Sequence, residues 1–153
     1  MPEYGLGGFF GLRTSRDIFG KMERDFEQLK ANRADSDAAF NFFVTAHHIV
    51  DWLARGDRDQ MKALRRDALP RICRHLANGA KHFRLDQTHD SVQHADAIPS
   101  PFAEGRFSCG FAGAWLAVDL APCDSRALKV PTRIDALTLA EKVLDHWRGR
   151  LGD

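Results

Sequence analysis

The sequence predicts a mainly α protein, a four-helix-type bundle with a small antiparallel β element inserted before the last helix. Three observations carry this. Apolar residues recur at helical spacing in four long segments; capping residues stand at the starts of those segments; and one stretch, residues 106–131, shows alternation instead. At 153 residues the chain matches one domain with one core, because two independent cores would each be small and marginal. The apolar fraction of 44% and eleven Phe against one Tyr indicate a core filled largely by rings, which argues against disorder over most of the length.

Thr14 or Ser15 can cap a first helix, and Asp17 three residues after Thr14 resembles a capping box ahead of Ile18, Phe19, Met22, Phe26 and Leu29, so the helix is expected to run to about Lys30. Asp35 or Ser36 then caps a second helix that ends near Arg55-Gly56. Its apolar residues Phe40, Phe42, Phe43, Val44, Ala46, Ile49, Val50 and Leu53 cover well over half its circumference, as expected of a central helix. A short helix follows over residues 57–66. Pro70 is placed as the first residue of the next helix, which ends near Phe83.

Between residues 84 and 105 the periodicity vanishes, and a long loop is expected. Phe107, Cys109 and Phe111 read as one strand and Trp115 to Leu120 as a second, with Leu128-Lys129-Val130 as a third. Thr132 is expected to cap a final helix whose stripe is Leu137, Ala140, Val143, Leu144, Trp147 and Leu151. Residues 1–13 read as an arm; its YGLGGFFG run either packs on the body or contacts another subunit.

Charge and cysteines narrow the functional classes. A formal net charge of +1, from 22 basic and 21 acidic residues, makes no broad case for nucleic acid or an anionic membrane, so such a partner would need a local patch. Cys73, Cys109 and Cys123 are widely spaced without a C-x-x-C, which argues against a disulfide framework or structural zinc. The start Met1-Pro2-Glu3-Tyr4 lacks the features of a secretory signal, and the longest apolar run is too short to span a bilayer. The expectation is a cytoplasmic protein without a membrane partner. Ser108-Cys109-Gly110 is no nucleophile elbow, and Gly5-Leu6-Gly7-Gly8 follows no strand, so neither a catalytic serine nor a phosphate loop is expected, and no cofactor.

The helix from Pro70 carries the strongest chemical signal. At about 100° per residue, Ile72, Cys73, Leu76, Ala77, Ala80 and Phe83 fall on one side and Arg74, His75, Asn78, Lys81 and His82 on the other. That second side holds a guanidinium, an amide, an ammonium and two imidazoles without a carboxylate. Such a set can hold a phosphate and move a proton, with Arg74 and Lys81 as electrostatic clamp and His82 as acid or base. On the second helix, His47 and Asp51 stand one turn apart, where the carboxylate can orient the imidazole. Each group also has a plain structural reading, as a solvated polar face and a local pair.

The segment ICRHLANGAKHF, following a helix with NFFVTAHHIVDW, resembles helical-bundle proteins of the HEPN superfamily, many of which are metal-independent ribonucleases or toxins. The likeness lies in the helical layout and in Asn78-x-x-x-His82. The family signature places four to six residues between Arg and His; seven separate Arg74 from His82, while Arg84-x-x-x-x-His89 matches literally. The resemblance implies RNA or nucleotide phosphate as partner, with Arg74, Asn78 and His82 as catalytic residues, Lys81 and His75 as substrate contacts, and His47 and Asp51 in support. Two other readings stay open: a non-catalytic interaction module, including a homo-oligomer joined through the sheet or the arm, and a metal site of His47, Asp51, His75 and His82.

Overall fold

The computed structural model describes residues 10–81, 90–98 and 114–151. Helices α1, α2 and α3 each begin where the sequence supplies a side-chain acceptor for their unsatisfied N–H groups. Helix α1 (Ser15–Ala31) is closed by the Thr14–Asp17 capping box: Asp17 N–H donates to Thr14 Oγ1 at 3.2 Å and Thr14 N–H to Asp17 Oδ2 at 2.8 Å. These donors hold the Asp17 carboxyl below the ordinary carboxylate value, the Arg13 N–H foremost. Helix α2 (Ser36–Ala54) starts on Asp35, whose side chain accepts from Asp37 and Ala38 N–H. It ends as Arg55 and Gly56 turn into the left-handed region, at φ 49° and 86°. Helix α3 (Arg58–Leu64) is capped by Asp57. Helix α4 (Ala68–Lys81) begins two residues before the expected start, so Pro70 is its third residue. A proline fits there because the first-turn N–H groups have no helical partner anyway.

The β element departs from expectation. Strand β1 (Val92–Ile98) lies inside the stretch expected to be loop. Five of its seven residues are exposed, so no apolar alternation marked it. Strand β2 (Trp115–Leu120) is where it was expected. Residues 128–130 are not a strand: helix α5 (Pro122–Leu128), with proline at its first position, ends there as Lys129 turns left-handed at φ 55°. The third strand is β3 (Arg133–Asp135). Thr132 therefore caps nothing; its carbonyl accepts from Leu120 N–H at 2.7 Å. Helix α6 (Ala136–Leu151) starts three residues later than expected, with Asp135 Oδ1 accepting from Leu137 N–H at 2.9 Å. The sheet has the order β1-β2-β3, all antiparallel, with a register irregularity between Val92 and His94. The strand expected over residues 107–111 lies outside the described residues.

The described protein is thus mainly helical, with six helices and one small three-stranded antiparallel sheet. Helix α2 is central, as its broad apolar arc requires: it packs on α1, α3, α4 and α6, and buries Phe42, Phe43, Ala46, Ile49 and Val50. Phe40, expected in that arc, is instead 41% exposed. The α6 stripe contributes Leu139, Ala140, Val143, Leu144 and Trp147 to the same core, and β2 adds Leu116, Val118 and Leu120. Ion pairs tie the periphery down: Arg71 of α4 donates to the buried Asp124 of α5 at 2.6 Å, and Arg133 grips Asp119 with two hydrogen bonds across β2 and β3. Among the described residues, no helix is long and apolar enough to cross a membrane.

Candidate functional site

Helix α2 runs against α4, and the edge of their contact gathers the polar residues of both. On α2, His47, His48 and Asp51 fall within one turn beside the apolar arc. On α4, Arg74, Asn78 and Lys81 follow the i, i+4, i+7 rule and share a face. Arg65, the residue that ends α3, enters from the side.

These groups form a connected chain. Arg65 Nη2 lies 3.4 Å from Asp51 Oδ1, Asp51 Oδ2 lies 3.2 Å from His48 Nδ1, and His48 Nε2 lies 3.1 Å from Lys81 Nζ. The His47 ring is tilted against that of His48, with centroids 5.0 Å apart. Arg74 is close enough to Arg65 to repel its charge. Among the described residues, three cationic side chains and two imidazoles are thus gathered near one carboxylate, that of Asp51, which Arg65 and His48 contact directly. Among the described residues, the buried Nε of Arg65 has no hydrogen-bond partner.

The electrostatics follow from the crowding. Burial pushes the His47 imidazole down from 6.5 to about 4, and His48, Arg65 and Lys81 push it the same way against the opposing pull of Asp51. Arg65 is likewise lowered, by burial first and by Arg74 repulsion, with Asp51 acting against them.

A pH dependence results. The unfolded chain takes up its proton near 6.5, whereas folded His47 resists until about 4. Above 6.5 both states are neutral at this ring and it contributes nothing to the dependence. As the pH falls from 6.5 toward 4, the unfolded state gains protons that the folded state refuses, and stability is lost. After allowance for the ring's partial exposure, the expected loss is about 2 kcal/mol. Urea midpoints at pH 7 and pH 4.5 check this, since His47→Gln should lose less than the native chain over the same interval. Equal losses would place the coupling elsewhere.

The structure redistributes several expected roles. Arg74, Asn78 and Lys81 do share a face, and that face meets the His47–Asp51 turn of α2. Asp51, however, hydrogen-bonds His48 rather than His47. The Asp51 carboxylate reaches back three residues to the ring at the solvent edge, while His47 turns toward the interior. His75 does not join the polar face: it is only 9% exposed, and its Nδ1 accepts from Val92 N–H at 2.9 Å, fastening β1 to α4. Its Nδ1 is thereby engaged with β1, off the face that Arg74, Asn78 and Lys81 share. His82 lies outside the described residues, as do Arg84 and His89. The expected set of metal ligands is not assembled among the described residues, because His75 is committed to β1 and no group of three or more His, Cys, Asp or Glu is gathered there.

Two residues of the cluster were not among those expected, His48 and Arg65. The spacing of His48 to Asp51 is itself a helical-neighbour signal. Arg65 carries no such signal, since only the α2–α3 turn brings it back to a residue 14 positions earlier. Comparison with models of known protein families, with curated proteins and with solved structures finds no match for this chain.

Proposed function

We propose that the α2–α4 edge is a binding site for the phosphate groups of RNA or of a nucleotide, on a four-helix-type bundle formed by α1, α2, α4 and α6. The observation that carries this reading is the meeting of Arg65, Arg74 and Lys81, from two elements, around two imidazoles and one carboxylate. Guanidinium groups pair with phosphate oxygens through two N–H bonds at once, which suits the partly exposed Arg74 to this role. RNA or nucleotide phosphate is the partner class that the HEPN resemblance implies, and Asn78, between Arg74 and Lys81, adds an amide to the same face.

The test is fluorescence anisotropy with a short single-stranded RNA at low salt, in the presence of a chelator. Binding should weaken as salt rises, with a slope of about −0.7 for each phosphate held. Arg74→Ala should weaken it by roughly tenfold and lower that slope by about one. RNA that fails to bind at low salt, or binding indifferent to Arg74→Ala, would remove the proposal.

A further inference from the structure

We propose that His48 is the catalytic proton-transfer residue of this site, acting on a phosphodiester, and that Asp51 is the positioning residue that presents it; this rests on the phosphate-binding reading above. The hydrogen bonds assign the ring. An ammonium has three donors and no lone pair, so Lys81 Nζ at 3.1 Å can only donate to His48 Nε2. Nε2 must therefore carry the lone pair, and the single ring proton sits on Nδ1. That proton points at Asp51 Oδ2, 3.2 Å away, and a carboxylate can only accept it. The two neighbours demand the same tautomer from opposite sides of the ring.

The consequence is a base aimed at the cations. The Nε2 lone pair faces the Lys81 ammonium, one of the groups that would hold the phosphate. Lys81 is exposed and sits on a flexible stem, so an arriving phosphate draws its ammonium away and leaves Nε2 open to a substrate hydroxyl. Arg65 braces the other end, with Nη2 on the second Asp51 oxygen. His47 lacks this arrangement: among the described residues no carboxylate hydrogen bond fixes its ring, and burial holds down its basicity.

With RNA the hydroxyl is the ribose 2′-OH. His48 Nε2 takes its proton as the 2′-oxygen bonds to phosphorus. The bond from phosphorus to the 5′-oxygen breaks, and that oxygen leaves with a proton from the Lys81 ammonium. His48 then returns its proton to Lys81, which restores both groups. The products are a 2′,3′-cyclic phosphate end and a 5′-hydroxyl end, and the balance requires no oxidant, reductant or water.

Two measurements test the assignment. The first reads the imidazole nitrogens of the native chain by 15N NMR. The His48 signals should show the proton on Nδ1, and Asp51→Asn should shift them toward the Nε2-protonated form. The second follows a short RNA in chelator, beside a DNA of the same sequence. The RNA should be cut and the DNA left whole, for want of a 2′-hydroxyl. His48→Gln should slow cutting by about 100-fold or more while RNA still binds. Asp51→Asn should lower kcat with little change in KM. A native His48 protonated on Nε2, or cutting unaffected by His48→Gln, overturns the proposal. RNA that binds but stays intact also overturns it and leaves the binding reading standing, whereas RNA that does not bind removes both. Should His48→Gln fail to fold, the native tautomer and the Asp51→Asn kinetics decide the matter.

Discussion

Reversing Arg74 and Lys81 together to glutamate should weaken RNA binding by on the order of 100-fold or more at low salt. The formal charge of the cluster is +2 in the native chain, three cations against Asp51, and becomes −2 in the double variant. A phosphate held about 5 Å from each altered side chain meets repulsion where it met attraction, and each reversal costs roughly 1–3 kcal/mol at the intermediate dielectric of a half-exposed site. Folding should be almost untouched. Lys81 is exposed and Arg74 partly so, and exposed substitutions of this kind change stability by about 0.5 kcal/mol or less. Circular dichroism on the same samples separates the two effects: helix content should stay constant while RNA anisotropy falls. Retained affinity in a folded double variant would mean that the phosphates lie elsewhere, and the assignment of His48 would fall with it.

The largest stability effect is expected at Phe42. Its ring, in the second turn of α2, is 0% exposed, edge-on to Phe43 with centroids 5.2 Å apart and tilted against Phe26 of α1 at 6.2 Å. Phe42→Ala removes buried ring area, both aromatic contacts, and the atoms that fill the space between α1 and α2. The expected cost is about 4 kcal/mol. Set against a net stability of roughly 5–15 kcal/mol for a domain of this kind, such a loss leaves the fold marginal. The urea midpoint should fall with little change in slope, because the surface exposed on unfolding is nearly the same. The variant should also weaken RNA binding near its midpoint, since α2 carries His47, His48 and Asp51. A loss below about 1 kcal/mol would mean that the α1–α2 contact is not the centre of the core.

How much was legible in the sequence depended on the range of the interaction. The Thr14–Asp17 box, the Asp35 cap and the Arg55-Gly56 turn act within four residues, and all three appear as read. The central place of α2 followed from the width of its apolar arc, and the α6 stripe from its spacing. The face shared by Arg74, Asn78 and Lys81 was legible for the same reason: a helix's own geometry sets it.

What the sequence did not determine was settled by contacts between segments far apart. Strand β1 has a mostly exposed set of side chains, so it is held by hydrogen bonds to β2 and not by an apolar face that periodicity could reveal. The run Leu128-Lys129-Val130 reads equally well as a strand or as a helix end, and pairing decided it: the place beside β2 is taken by residues 133–135. His75 looked like part of a polar face because helical angle alone cannot say which residue a strand will cover. Asp51 had two histidines within reach, and only the arrival of Lys81 at Nε2 singles out His48. Helical spacing thus determined which side chains share a face of α2 or α4. The packing of α2 against α4, and the return of Arg65 through α3, decided which of those faces meet, because charges separated by 14 to 33 residues become neighbours only once the core between them is filled.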